Sequence, residues 1–177
     1  MLEQFPYITN VRINNVEDGV KTLLTANDKQ KTYGHAQAVA DMNARIAAMY
    51  GLDEDIFKIC GLLHDIAAVV KPDDMMEYAY KNDWHIDKAE VKYPFLLHQR
   101  VSKLIAEEDF EITDLRILSA VERHTTLKAD PSAYDMALFV ADKLAWDQEG
   151  TPPFYAVVEG ALGRPRIRTW TTSSNTK

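Results

Sequence analysis

The chain has 177 residues, which is enough for one domain with a sizeable core and too few for two. Its formal net charge is −7, and this acidic balance disfavours DNA-binding and anionic-membrane proteins, since both need a positive field. Apolar residues make up 46% of the chain, without a run of the roughly 20 that span a bilayer. Because Cys60 is the single cysteine and the first residues lack a signal-peptide pattern, we expect a reducing, cytoplasmic location.

The apolar pattern predicts an all-α fold. From about residue 16 to residue 160, apolar side chains recur every three or four positions, and alternation with a period of two is nearly absent. Gly51 is suited to end the second helix and Asp53 to begin the third. In chain order, the predicted helices cover residues 16–26, 32–50, 54–69, 73–81, 94–108, 114–125, 132–146 and a last segment opened by Pro152-Pro153.

The same pattern divides the chain into three parts. Residues 1–15 are predicted to form an N-terminal extension, and residues 16–162 a single helical domain. Residues 163–177 lose the apolar pattern and are predicted to be a frayed tail.

Six ionisable residues fall on, or directly beside, the apolar faces of the predicted helices. His35, for example, lies four residues before Val39 on an apolar stripe, and positions four apart share one face of a helix. The fifth histidine, His85, lies in a polar stretch and is not predicted to point inward. The side chains predicted to point inward are His35, His64, Asp65, His98, His124 and Asp142.

A metal centre would satisfy all six inward groups together. One histidine on an apolar face is more often a hydrogen-bonded core residue, but burying an unpaired carboxylate costs about several kcal/mol. Neutral imidazole and carboxylate suit iron, manganese, zinc or cobalt. The pattern therefore favours a metal centre over purely structural histidines, which stay open as an alternative. A nucleophilic pair of Cys60 and His64 is disfavoured, because buried cysteine is common in cores.

The motifs around these residues resemble a known family. The segment Leu62-Leu63-His64-Asp65-Ile66-Ala67, with His35 before it and Asp142 after it, resembles the HD-domain superfamily of metal-dependent phosphohydrolases. Leu96-Leu97-His98, His124-Thr125-Thr126 and Val140-Ala141-Asp142-Lys143 resemble its bacterial YqeK-like branch, whose activity is symmetrical dinucleoside-tetraphosphate hydrolysis. The similarity extends from about Thr32 to Leu144.

The resemblance implies an HD-type helical bundle with a dinuclear metal centre. One ion would be held by His35, His64, Asp65 and Asp142, and a second by His98 and His124, with Asp65 bridging both. Iron is the expected metal, with manganese, zinc and cobalt as alternatives. The implied activity is hydrolysis of a nucleotide or a related small phosphate ester or anhydride, dinucleoside polyphosphates included. Metal-hydroxide attack would carry it, with His64 and Asp65 as the catalytic pair.

The chain lacks several positively charged side chains that are typical of the family. The family usually carries arginine where Thr32 and Ala38 stand, and lysine or arginine where Ala68 stands. Each charge-assisted hydrogen bond contributes roughly 1.5–3 kcal/mol, so three losses lower polyphosphate affinity by about a thousandfold or more. The candidate phosphate contacts that remain are Lys143, Arg100 and Arg123.

The missing cations keep two other functions open. One is a metal- and nucleotide-binding sensor or scaffold with weak or no turnover, and the other is a helical interaction domain with structural histidines. We expect a small phosphorylated metabolite or nucleotide as the partner, and neither DNA nor a membrane. The oligomeric state is left open, with a homodimer among the assemblies considered.

Overall fold

The computed structural model describes residues 1–146 and 149–162, and this part of the chain contains helices and no β-strand. The all-α prediction is confirmed, whereas the prediction of a frayed tail at 163–177 lies outside the described residues. Short 3-10 turns cover Leu2–Gln4, Ile66–Val69 and Pro94–Leu97. The α-helices are α1 (Val16–Ala26), α2 (Gln30–Tyr50), α3 (Glu54–Leu63), α4 (Pro72–Lys81), α5 (Lys88–Lys92), α6 (His98–Glu108), α7 (Leu115–Arg123), α8 (Ala133–Leu144) and α9 (Tyr155–Leu162).

Side-chain caps fix where several of these helices begin. The side chains of Asn15, Asp53, Asp114 and Ser132 each accept a hydrogen bond from a backbone N–H in the first turn of the helix that follows. Such caps satisfy donors that a helix start leaves without a partner. Gly51 ends α2 in the left-handed conformation, with a φ of 66°, as its position in the sequence predicts.

Helix α2 is the central element of the bundle and packs against α3 and α8, while α7 packs between α6 and α8. The contact between α2 and α3 depends on Gly61. A Cβ atom on Gly61 would lie 2.4 Å from the Cα of Ala40, so only glycine allows the two helix backbones to approach this closely. Asn43 adds a buried hydrogen bond from its side-chain amide to the Phe57 carbonyl, at 2.6 Å.

The structure departs most from the predicted helices at residues 64–69 and 88–92. The predicted helix 54–69 ends at Leu63, and the chain continues through His64 and Asp65 into a 3-10 turn, where Asp65 has φ −113° and ψ 21°. This turn is held from outside, because the Ala67 N–H donates to the Ser102 hydroxyl at 3.1 Å. Helix α5 was not predicted, since its five residues are too few to show an apolar period.

Residues 1–15 pack on the helical core. Leu2, Phe5 and Ile8 are buried in the same apolar cluster as the helices. The division of the chain at residue 16 stays a prediction. None of the helices in the described ranges has the length and apolar character that a membrane-spanning segment requires.

Candidate metal centre

The structure brings the six predicted side chains together where α2 and α8 meet the ends of three other helices. His35 lies on α2 and Asp142 on α8. The other four lie at helix ends: two directly after α3, one at the start of α6 and one directly after α7, namely His64, Asp65, His98 and His124. We call these six residues the cluster.

One side of the cluster is built around Asp142. Its Oδ1 atom lies 3.1 Å from His35 Nε2 and 3.9 Å from His64 Nε2. His64 Nε2 also lies 3.3 Å from Asp65 Oδ2. Three of the ligands predicted for the first ion therefore lie close together here. Asp65 contributes one of its two oxygens to the same group.

The other side of the cluster uses the second oxygen of Asp65. His98 Nε2 and His124 Nε2 lie 3.0 Å apart, and each lies 3.4 Å from Asp65 Oδ1. The two oxygens of one carboxylate thus face different imidazole nitrogens, one of His64 on the first side and those of His98 and His124 on the second. This is the arrangement that a bridging carboxylate requires. The helix break before Asp65 permits it, because adjacent residues inside a helix point about 100° apart.

Three of the imidazoles are oriented by their own chain. In each, Nδ1 lies within hydrogen-bond distance of the carbonyl oxygen three residues earlier, which assigns the proton to Nδ1. The lone pair of Nε2 then points into the cluster. The three Nδ1-to-oxygen distances are 2.7 Å for His64 and Gly61, 2.6 Å for His98 and Phe95, and 2.8 Å for His124 and Val121.

This orientation fits a bound cation. His64 Nε2 is fully buried and has no hydrogen-bond partner among the described residues. The Nε2 atoms of His98 and His124 lie 3.0 Å apart, and a proton or a metal cation between them offsets the repulsion of two facing lone pairs. Two ligands bound at right angles, each about 2.1 Å from one ion, lie about 3.0 Å apart. His35, His64 and Asp142 form one set that could hold a metal ion, with ligand atoms within 4.8 Å of one another.

The electrostatics of the cluster keep its carboxylates ionised. Burial alone would raise the pKa of Asp65, but the imidazoles of His64 and His124 outweigh it and hold the pKa well below its usual range. Burial is likewise outweighed at Asp142, whose pKa is lowered by His35, His64 and Lys143. The imidazole nitrogens and two ionised carboxylates together form a donor set that suits a divalent transition metal.

The pKa values of His64 and His98 are shifted in opposite directions. Burial alone would lower the pKa of His64, but Asp65 and Asp142 outweigh it and raise the pKa to about 9, so a metal ion that binds His64 Nε2 would displace a proton from it. The pKa of His98 is lowered, first by burial and then by the neighbouring His124. His98 therefore favours the neutral form that binds a metal ion.

The structure brings one of the three predicted phosphate contacts to the cluster. Lys143 Nζ lies 2.5 Å from Asp142 Oδ2, and the ammonium also lies 5.1 Å from the centroid of the Phe139 ring. Its charge therefore stands at the edge of the cluster.

The two predicted arginine contacts make other interactions. The Arg100 guanidinium donates to the carbonyl oxygen of His85 at 2.9 Å and lies over the Trp84 ring, 4.1 Å from its centroid. Arg123 pairs with the adjacent Glu122 at 3.5 Å. Both guanidinium groups are thus engaged by neighbours that do not belong to the cluster.

Gln99 connects the two helix ends that carry His98 and His124, and the sequence analysis missed it. Its Oε1 atom accepts a hydrogen bond from the Thr125 N–H at 3.1 Å, and its Nε2 donates to the Thr126 hydroxyl at 3.1 Å. Gln99 is 3% exposed, so these bonds are shielded from water. A neutral polar side chain next to a histidine carries no clear signal in a single sequence.

Cys60 has no nucleophilic character in this structure. Its side chain is buried one turn before His64, and burial, together with the charges of Asp114 and Asp135, raises the pKa of the thiol to about 12. Since the thiolate is the reactive form, Cys60 serves as core packing.

Two cavities of about 500 Å³ each open beside the cluster, one reaching it at Asp65 and His98 and the other at His35. Trp146 lines the second cavity.

Comparison with known proteins shows which family the chain belongs to. The model of the HD domain family matches residues 32–147. The chain belongs to the HD domain family. This match spans all six cluster residues and confirms the resemblance that the sequence motifs predict.

Curated relatives agree with this membership. Over 96 residues, 54% of the chain, it is 41% identical to an uncharacterised protein encoded in the pepC 5′ region of Lactococcus lactis subsp. cremoris. Over 130 residues, 72% of the chain, it is 28% identical to a protein of Staphylococcus aureus named symmetrical bis(5′-nucleosyl)-tetraphosphatase. The aligned regions span 49% and 65% of these two relatives.

A solved structure has the same fold. The crystal structure of a predicted HD superfamily hydrolase involved in NAD metabolism, from Clostridium acetobutylicum, superposes with a TM-score of 0.75. The superposition covers 84% of this chain and 77% of that one, at 24% sequence identity. The predicted HD-type helical bundle is therefore confirmed.

Proposed function

We propose that the chain is a metal-dependent phosphohydrolase that cleaves a nucleotide or a related small phosphate ester or anhydride. The observation that carries this proposal is the position of Asp65, whose Oδ2 atom faces the imidazole nitrogen of His64 while its Oδ1 atom faces those of His98 and His124. The HD domain match supports it. A dinucleoside polyphosphate is the first substrate to test, because the Staphylococcus aureus relative is named for that activity.

The proposed ligands divide between two ions. His35, His64 and Asp142 would hold one ion together with Asp65 Oδ2, and a second would be held by Asp65 Oδ1 and the remaining pair, His98 and His124. Iron is the proposed metal, with manganese, zinc and cobalt as alternatives that the same ligands suit. When bound, two such ions lower the pKa of water and neutralise charge on phosphate oxygens.

The protein's own part in the reaction is to orient and to bind. The carbonyls three residues before His64, His98 and His124 hold the rings with Nε2 directed inward. His64 and Asp65 are proposed as the catalytic pair, because both would contact the ion or ions at the reacting phosphate. Lys143 is proposed as a phosphate contact, since its ammonium lies at the edge of the cluster. Arg100 and Arg123 stay predicted phosphate contacts, and a phosphate that binds them would have to compete with the neighbours that engage both guanidinium groups.

The proposed partner is a small phosphorylated molecule in the cytoplasm, and neither DNA nor a membrane. A net charge of −7 and a single buried cysteine support this part of the proposal. The oligomeric state stays open, with a homodimer among the assemblies considered, and analytical ultracentrifugation of the purified protein determines it.

Elemental analysis tests the metal sites. We expect two metal ions per chain in the parent protein, about one in His124→Ala, and fewer than one in His64→Ala. His85→Ala is the matched control, because His85 is an exposed histidine outside the cluster, and its metal content is expected to equal that of the parent. The absence of metal from every sample, even after anaerobic reconstitution with iron, would contradict the proposal and favour structural histidines.

A turnover assay separates the hydrolase from its alternative, a metal- and nucleotide-binding sensor or scaffold. The metal-loaded protein is incubated with phosphate monoesters, nucleoside di- and triphosphates and dinucleoside polyphosphates, and the products are resolved by chromatography. Product formation that stops on adding a chelator supports the hydrolase. Tight nucleotide binding to the metal-loaded protein without any product would favour the sensor.

A further inference from the structure

The cavity that reaches the cluster at Asp65 and His98, here called the His98 cavity, has an uneven distribution of charge. Its inner wall is formed by those two residues, and apolar side chains that include Ala68 and Phe95 form much of the remainder. Two lysines also line it, Lys29 and Lys71. A ligand that fills this cavity therefore contacts Asp65 and His98 of the cluster and also lies against two lysines.

Neither lysine has a carboxylate partner within the described ranges, 1–146 and 149–162. Lys29 directly precedes α2, and Lys71 directly precedes α4. The Lys71 ammonium lies 4.3 Å from the centroid of the Tyr7 ring, and its backbone N–H donates to the Tyr7 hydroxyl at 3.1 Å. These contacts position Lys71 without an ion pair, so two lysines that form no ion pair with the described residues line one cavity of an acidic protein.

We propose that Lys29 and Lys71 form an anion subsite for a phosphate group that is not the one being cleaved. This inference rests on the proposed function and narrows its substrate class to molecules with at least two linked phosphates. One phosphate lies at the cluster, and a neighbouring one reaches the two lysines through the cavity. Phe95, whose side chain is 54% exposed, offers the attached base an aromatic surface on which to stack.

Inorganic pyrophosphate is the probe, because it carries two linked phosphates and no base. Its binding to the metal-loaded full chain is measured by isothermal titration calorimetry. Lys29→Met and Lys71→Met are each expected to weaken binding by about tenfold or more, the loss expected for one charge-assisted hydrogen bond. Methionine keeps much of the apolar stem, so folding is preserved, and Lys71→Arg is expected to retain most of the affinity.

Lys81→Met is the matched control, because it removes the same charge at the opposite end of α4 from Lys71. Lys81 lies at the far end of α4 and is already paired with Glu77. Equal weakening in Lys81→Met and Lys71→Met would overturn the proposal by showing a general charge effect. It would also be overturned if the parent does not bind pyrophosphate, or if Lys29→Met and Lys71→Met bind it as the parent does.

Metal content is measured on every variant and separates this inference from the proposed function. Parental metal content in both cavity variants, with weakened pyrophosphate binding, supports the subsite. If both variants keep the metal content, the turnover and the pyrophosphate affinity of the parent, the subsite proposal is wrong and the hydrolase proposal is unaffected. Lysine-dependent pyrophosphate binding without turnover of any phosphate compound would support the subsite and contradict the hydrolase.

Discussion

At the scale of single residues, Asp65 is the cluster side chain for which a substitution is expected to have the largest effect. Its Oδ1 and Oδ2 atoms face different nitrogens, so both must be able to accept an ion. An asparagine has one oxygen and one amide nitrogen, and that nitrogen donates hydrogen bonds rather than binding metal.

Asp65→Asn is therefore expected to keep the fold and lose about one of two metal ions per chain, together with nearly all turnover. Metal analysis and a circular dichroism melt measure these effects. The control is Asp28→Asn, which removes the same charge at an exposed position with a φ of 59°, a conformation that asparagine tolerates. Two retained ions in Asp65→Asn would contradict a bridging role.

Gln99 supplies a second prediction at this scale. Gln99→Ala removes two hydrogen bonds that hold the residues after His124 against the start of α6. Because such supporting contacts set the orientation of metal ligands, we expect metal affinity to fall by about 10–100-fold with the fold intact. Competition with a chelator of known affinity measures the change. Gln30→Ala, at an exposed position at the start of α2, is the control and is expected to bind metal as the parent does.

At the scale of elements, the distance between α2 and α3 determines where two of the ligands stand. His35 lies on α2 and His64 directly follows α3, and Gly61 sets how closely those helices approach. The Gly61 carbonyl also orients the His64 ring. Helix packing and ligand orientation therefore depend on the same residue.

Gly61→Ala is expected to force α2 and α3 apart, lowering stability by about 1–3 kcal/mol, because the added Cβ meets backbone that cannot move independently. Urea unfolding measures the change. Gly34→Ala is the control, since nothing lies within 4 Å of its Cβ position on α2, and it is expected to raise stability by about 0.5–1 kcal/mol. Equal stability in Gly61→Ala and the parent would contradict this role.

The sequence predicted helices and inward ligands better than it predicted the connections between them. The apolar period reveals which face of a helix is buried, so His35 and His124 could be assigned from their own neighbours in the chain. The break after Leu63 could not, because a contact from Ser102, 35 residues away from Ala67, holds the turn. Gln99 and the lysines of the His98 cavity were missed for the same reason, since their surroundings form only when distant segments meet.

At the scale of the whole molecule, the pH dependence of stability includes a contribution from Asp135. This buried carboxylate accepts hydrogen bonds from the hydroxyls of Ser119 and Ser132, both at 2.7 Å, and pairs with Lys128 at 3.1 Å. Burial alone would raise the pKa of Asp135, but these partners outweigh it and lower the pKa. The folded state therefore binds this proton more weakly than the unfolded chain does.

The stabilisation from Asp135 is full above its unfolded pKa of about 4 and is lost as the pH falls through the lower folded pKa. Asp135→Asn is expected to destabilise the protein by about 1–3 kcal/mol at pH 7, because its amide cannot accept from all of these donors. Urea unfolding from pH 7 to pH 3 is expected to show the difference between parent and variant shrinking at the acid end. A difference that grows on acidification would reverse the assigned sign.

Metal removal is expected to destabilise the molecule as a whole. When the free concentration of a metal ion is a thousand times its dissociation constant, binding stabilises the folded state by about 4 kcal/mol. This corresponds to a rise of roughly 8–16 °C in the melting temperature. Differential scanning calorimetry with and without a chelator measures the shift. The same scan on His64→Ala is the control, and a shift as large as in the parent would show that the chelator acts elsewhere.

The hydrogen bonds between the Nδ1 atoms and the carbonyls three residues earlier have a consequence for the order of events during maturation. Because each bond lies within a four-residue stretch, helix formation alone aims the three rings, and no ion has to be present while the chain folds. Three of the proposed ligands are therefore oriented without an ion, and we expect metal loading to follow folding. On this expectation, the ions available after folding would determine which metal is bound.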